Sequence, residues 1–211
     1  SSNNPLALFM RPFYRLMQKR ASKLSEFTIF QNKDDQEYFE FNKMVEKNKS
    51  KLIRSSGVDI KQIETGRLNK EGITAHKAKL KLGNEIIFIM VARLVKYKGI
   101  FEYLAAARAV KQKINGVRFL LVGPLETEGK QAISRSLLDS YRDTVDWIGY
   151  RSDVPALLSI SDVFVLPSNY REGVPRVLLE AGALGLPLIT TDIPGCRDVV
   201  RNGEEGILVK S

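Results

Sequence analysis

From residue 85 onward the hydrophobic pattern is regular. Apolar runs at 86–91, 117–122, 145–148, 162–166, 187–191 and 206–209 are short and show little inside–outside alternation. That is the pattern of strands covered on both faces. Between the runs lie segments with helical spacing. A helix is expected over 99–114, with Ile100, Phe101, Leu104 and Ala107 on its apolar face. Others are expected over 129–142, over 154–160 and after Pro175, with a helical turn at 197–201. Strands that alternate with helices build a parallel sheet, because each crossover carries the chain back to the same end. The fold class is therefore α/β: a Rossmann-like parallel sheet with helices on both faces.

The first 84 residues are patterned differently. Leu6, Phe9, Met10, Phe13, Leu16 and Met17 recur at helical spacing within residues 5–23, with Arg11, Arg15, Lys19 and Arg20 between them. Pro12 starts or kinks that helix. A basic amphipathic helix can lie on an anionic membrane surface, or it can pack its apolar stripe against protein. Short strands follow at 26–30 and 51–54, separated by a helix that Asn32 or Asp34 caps and that runs to about 42. Two strands and two helices are too few for an independent domain. Residues 1–57 thus read as a remnant of a larger domain, and 58–84 as a polar hinge and linker with one helix near 75–82. Residues 85–211 read as a ligand-binding domain that stops just after a strand.

Composition narrows the class. Of 211 residues, 44% are hydrophobic and 27% charged, ordinary for a globular protein. The net charge is +9, with 11 Lys/Arg against 6 Asp/Glu in residues 1–57 and 22 against 18 in the remainder. A basic balance favours acidic partners such as phosphorylated ligands, anionic lipid or nucleic acid. No nucleic-acid motif accompanies it, and the aromatic residues fall mostly in expected core elements. The single cysteine, Cys196, excludes an internal disulfide framework and fits a reducing, cytoplasmic compartment. No apolar run reaches the 18 residues of a membrane span. His76 falls in the polar stretch and is expected to be exposed.

In an open α/β sheet, ligands bind beyond the carboxyl ends of the strands. The loop after the first run of residues 85–211 carries Arg93, Lys98 and Gly99; the second leads into Gly123, and the third into Gly149, Tyr150 and Arg151. After the fourth comes Glu172, then Gly173, Val174, Pro175, Arg176, Val177 and Glu180. No Gly-rich dinucleotide fingerprint or Walker sequence is present, so phosphate chemistry falls to side chains. Arg93 and Lys98 suit a pyrophosphate. Glu180 suits a ribose diol, and Glu172 the hydroxyls of a second polar group such as a sugar. Amides at a helix N-terminus after Gly173 would add partial positive charge. Each has a plainer alternative: loop cations for Arg93 and Lys98, and a structural ion pair for Glu180.

Two of these stretches resemble a known family. Arg93-Leu94-x-x-x-Lys98-Gly99 resembles the phosphate motif, and Glu172-x7-Glu180 the E-x7-E motif, of the retaining nucleotide-sugar glycosyltransferases of family 4. These have the two-domain GT-B fold, and the run from Glu172 to Val200 is closest to the bacterial polysaccharide type that uses UDP-linked sugars. The resemblance implies that 85–211 is the donor domain and 1–57 the end of the acceptor-side domain. It implies that Glu172, Arg93 and Lys98 are catalytic. Gly123, Tyr150, Arg151, Gly173, Val174, Arg176, Val177 and Glu180 would complete the donor site, Tyr150 and Arg151 meeting the base. It implies a nucleotide-sugar donor, a glycan or polyprenyl-linked acceptor, and peripheral contact with the inner face of the cell membrane. Neither metal nor cofactor is expected. Pro175 and Arg176 depart from the commoner Gly and apolar residue, which removes an amide donor and adds a cation. A half-cleft of this kind also admits a second reading, a non-catalytic nucleotide-binding module.

Overall fold

The structure, a computed structural model, describes residues 5–54, 57–126, 129, 131–171 and 173–210. It divides into two compact units, residues 1–56 and 57–211.

In the first unit, α1 (Pro5–Leu24) precedes β1 (Thr28–Phe30), α2 (Lys33–Phe41) and β2 (Ser50–Leu52). Strands β1 and β2 pair in parallel, Phe30 opposite Leu52. Asn32 caps α2: its side-chain oxygen accepts from the Asp35 amide at 2.8 Å while its Nδ2 donates to the Asp35 carboxylate. Phe30, Met44 and Val45 are buried. Phe9, Phe13 and Met17 remain exposed along α1.

The second unit holds one six-stranded parallel sheet. Its strands are β3 (Ile86–Val91), β4 (Val117–Val122), β5 (Asp146–Trp147), β6 (Val163–Leu166), β7 (Leu188–Thr191) and β8 (Gly206–Val209). Their spatial order is β5-β4-β3-β6-β7-β8. The chain therefore builds outward from β3 in one direction, returns to its other side, and builds outward again. That is the doubly wound order of nucleotide-binding α/β folds, with its switch point between β3 and β6. The helices α5 (Ile100–Lys111), α6 (Arg135–Asp139), α7 (Val154–Ser159) and α8 (Arg176–Ala183) make or accompany the crossovers. One core runs through the unit, and Ile87, Leu94, Leu121, Leu157, Phe164, Leu178 and Ala181 have no exposed surface.

Several local expectations are corrected. On α5 it is Tyr103, not Phe101, that enters the core: Tyr103 is 1% exposed and Phe101 44%. Tyr103 can be buried because its hydroxyl donates toward the Phe88 and Leu120 carbonyls, at 3.1 and 2.9 Å. Burial pushes that phenol's pKa well above its ordinary value. The helix expected over 129–142 shrinks to five residues. Ala132 instead bridges to Val95, and Ser134 caps α6 by accepting from the Leu137 amide. The helical turn expected over 197–201 falls slightly earlier: residues 194–199 are turns, with the Arg197 and Val200 amides donating to the Ile193 and Cys196 carbonyls.

Residues 58–84 are not a linker with one late helix. They form α3 (Ile60–Gly66) and α4 (Lys70–Lys79), capped by Asp59 and Asn69 through bonds from the Gln62 and Gly72 amides. Ile63 is buried, and Leu68, Ile73 and Leu80 pack against the core. A Cβ on Gly66 would come within 2.7 Å of the Pro155 side chain, so α3 lies close against α7.

Candidate functional site

The loops at the carboxyl ends of the strands are tied to one another across the sheet. Gly149 O accepts from the Gly123 amide at 2.8 Å, joining the loops after β5 and β4. Trp147 Nε1 donates to Gly123 O at 3.0 Å. Gly123 itself sits at φ +147°, and a Cβ there would lie 1.8 Å from Ala92 O, so only glycine lets the loop after β4 approach that after β3. Gly99, at φ +82°, makes the same allowance on the other side: its Cβ would lie 2.0 Å from Pro167 O. Ser168 Oγ and the Asn169 amide donate to Tyr97 O at 3.1 and 3.0 Å, which stitches the loop after β3 to that after β6. Thr191 Oγ1 donates to Ser168 O, which adds the loop after β7. Ser168 and Thr191 are buried. These polar side chains are spent on fixing the rim.

Arg93 stands on this rim, 58% exposed, with Nη2 donating to Tyr97 Oη at 2.9 Å and Nη1 at 3.7 Å from Glu126 Oε1. Lys98 closes a short 3₁₀ turn over Lys96–Lys98, with Gly99 then turning the chain into α5. The two cations thus lie in the loop on one side of the switch point. The E-x7-E stretch lies in the loop and helix on the other. Glu172 falls outside the described residues. Gly173, Val174 and Val177 are half-buried.

Helix α8 begins after Pro175, with no acidic residue in its first turn and no side-chain cap. Its free amides and Arg176 leave that end electropositive, which favours an anion. Glu180 lies one turn in, with its side chain 25% exposed and 3.9 Å from Arg176 Nη2. That separation lies beyond hydrogen-bond reach, and such exposed pairs are weak. The Glu180 carboxylate therefore keeps most of its accepting capacity. It opens on a cavity of about 350 Å³ shared with Tyr150, Arg151, Arg176 and α3 residues Gln62 and Ile63.

Arg151 is held by a fork: its Nε and Nη2 donate to the two Asp153 oxygens at 2.8 and 2.6 Å. The hydrogen bond from Arg151 holds the Asp153 carboxyl below the usual range. Asp153 stands at the N-cap position of α7 but makes no cap bond, since its oxygens are engaged by Arg151. His76, expected to be exposed, is half-buried on α4 with Nε2 3.4 Å from Asp153 Oδ2. Tyr150, the neighbouring residue, is 73% exposed. Cys196 is buried. Among the described residues no three of His, Cys, Asp and Glu group as metal ligands. Sequence reasoning did not single out Tyr97, Glu126 or Asp153. Only the Arg151-x-Asp153 spacing carried a signal, since two residues in a tight loop can form a fork.

A doubly wound parallel sheet with helices on both faces, carrying cations and a partly exposed carboxylate on its carboxyl-end loops, is an α/β fold of the kind that forms the C-terminal domain of GT-B glycosyltransferases. Residues 72–211 match the family of group 1 glycosyl transferases, and the chain belongs to that family. Over 195 residues it is 32% identical to the N,N'-diacetylbacillosaminyl-diphospho-undecaprenol alpha-1,3-N-acetylgalactosaminyltransferase of Campylobacter jejuni, a match covering 92% of this chain and 50% of that protein. Over 199 residues it is 30% identical to the UDP-Gal:alpha-D-GlcNAc-diphosphoundecaprenol alpha-1,3-galactosyltransferase of Escherichia coli, covering 93% and 50%. The chain thus spans about half the length of these relatives. The fold is shared with HepE from Anabaena, solved in complex with UDP and glucose, with a TM-score of 0.74 at 22% identity over 93% of this chain and 52% of that one. No helix among the described residues is long and apolar enough to cross a membrane.

Proposed function

We propose that the chain is the donor-binding portion of a retaining glycosyltransferase of family 4. The whole protein would move a hexosyl or acetamidohexosyl unit from UDP to a glycan on a polyprenyl diphosphate during bacterial polysaccharide assembly. One observation carries this reading. The Arg93/Lys98 loop and the loop leading to Glu180 flank the switch point of the sheet and are bonded to each other through Tyr97 O. That is where a doubly wound fold receives a nucleotide.

Roles follow from chemistry. Arg93 and Lys98 carry the pyrophosphate, and the amino end of α8 adds partial charge beside Gly173 and Val174. Glu180 accepts from the ribose diol. Tyr150 and the Arg151 loop meet the base at the other wall of the cavity, and Gly123 sets how near that wall comes. Glu172 contacts the transferred sugar. When the bond from sugar to UDP breaks, negative charge grows on the departing phosphate, where Arg93, Lys98 and the helix amides stabilise it. These cations supply the neutralisation that a divalent metal would give, so chelation leaves turnover unchanged. The acceptor attacks from the face that UDP leaves. The undecaprenyl-linked acceptors in the names of both relatives support peripheral work at the inner face of the membrane, with α1 against lipid.

The deciding experiment is a thermal-shift and calorimetric panel of UDP, GDP and ADP against the chain. UDP should raise the melting temperature most; equal shifts would remove the donor assignment. Retention is read from the anomeric configuration of the product by NMR, and an inverted product would overturn it.

A further inference from the structure

Tyr97 stands where the two loops at the switch point meet, yet it falls between the defining residues of one motif and is no part of the other. Its three functional parts make three separate contacts. Its carbonyl oxygen accepts from Ser168 Oγ and the Asn169 amide. Its ring lies 5.4 Å from that of Tyr170, centroid to centroid, at 49°. Its hydroxyl accepts from Arg93 Nη2 at 2.9 Å. The carbonyl fixes the backbone and the ring contact limits the rotamer, so the hydroxyl is presented to Arg93 from a constrained base.

Arg93 needs such a support. It is a long, rotamer-rich side chain, more than half exposed, and ordering it at the moment of binding costs entropy. A neutral hydroxyl restrains the guanidinium without cancelling its charge. Glu126, 3.7 Å away on the other nitrogen, restrains it while partly neutralising it. Tyr170 lies two residues before Glu172 in the sequence, so Tyr97 also touches the segment that leads to the E-x7-E stretch.

We propose that Tyr97 is the positioning residue for Arg93. Its hydroxyl holds the guanidinium ready for a nucleoside diphosphate, and its ring couples that cation to the loop before Glu172. This rests on the donor reading above. Isothermal titration of UDP and of uridine against four proteins tests it: wild type, Tyr97→Phe, Arg93→Ala and the double variant. Tyr97→Phe keeps the ring and removes only the hydroxyl. It should weaken UDP binding about three- to tenfold and leave uridine binding unchanged, the scale of one ordinary hydrogen bond, since the lost contact only positions the cation. In the Arg93→Ala background the same change should cost nothing further. Wild-type UDP affinity in Tyr97→Phe, equal losses for UDP and uridine, or full additivity in the double variant would each overturn the proposal. If wild type itself does not prefer UDP to uridine, the phosphate reading of Arg93 falls and this proposal falls with it. Uridine binding also serves as the fold check. Should Tyr97→Phe fail that check, Tyr170→Leu, which loosens the ring and spares the hydroxyl, has to show the same selective loss or the proposal is lost.

Discussion

Glu180 and Asp153 are two carboxylates near one cavity with opposite circumstances. The Asp153 oxygens are filled by Arg151, while Glu180 meets only a distant Arg176. A carboxylate with open lone pairs at a half-exposed site is equipped to accept from a ligand; one already forked is equipped to hold its partner still. Glu180→Gln keeps the shape and loses the charge. It should weaken UDP binding about tenfold, the scale of a hydrogen bond to an ionised group, as read by calorimetry. Asp153 should instead report through acid stability. Its folded pKa lies below the ordinary value, so its contribution is complete above the ordinary aspartate range, near pH 4, and is lost as pH falls below it. The melting temperature of wild type should therefore drop more steeply below about pH 4 than that of Asp153→Asn. Glu205 behaves alike at a more exposed place. Arg201 draws its pKa down to about 2, so that ion pair survives well into acid.

At the scale of elements, the strands are joined at their carboxyl ends by backbone contacts that tolerate no side chain. Gly99→Ala would place a Cβ against the Pro167 carbonyl at a positive φ, which should cost about 2–4 kcal/mol in urea unfolding. Gly116→Ala shares the positive φ (+74°) but meets no atom within 4 Å, so it should cost only about 1–2 kcal/mol. The strands were legible because their apolar runs are largely buried: Ile86–Val91, Val117–Val122 and Leu188–Thr191 appear where the pattern puts them. Helix α3 was not legible. Its one buried side chain, Ile63, leaves no periodicity to detect, and only the Asp59 cap marks it. The exchange of Phe101 for Tyr103 has a similar root. Hydrophobicity ranks Phe first, but a buried hydroxyl with two carbonyl acceptors is also satisfied, and those carbonyls lie on distant strands. The motif residues of the site could be read from sequence because they are charged and glycine-bounded. His76 could not, since its partner Asp153 comes from a distant part of the chain, whereas Tyr97 and Asp153 have partners two to four residues away and left only a weak spacing signal.

Over the whole molecule, the core from Leu82 to Val200 and every candidate site residue belong to the unit of residues 57–211. That unit alone, produced as a separate polypeptide, should unfold in one cooperative transition and bind UDP within about twofold of the 211-residue chain, as expected of a domain with its own core. A multiphasic melt would show that the unit is not one cooperative domain, and loss of UDP binding would show that the donor site needs residues 1–56. The strand order has a further consequence, for synthesis. The first strand of the sheet to leave the ribosome, β3, is also central, and one of its flanks stays open until β6 is made, when Phe88 pairs with Val163 and Ile87 N finds Asp162. Some seventy residues must emerge in the interval, leaving an apolar edge uncovered. Closing so long a loop makes the rate of this unit depend on topology more than on stability. Substitutions that weaken the β3–β6 pairing should accordingly slow refolding and lower soluble yield even where the finished protein tolerates them.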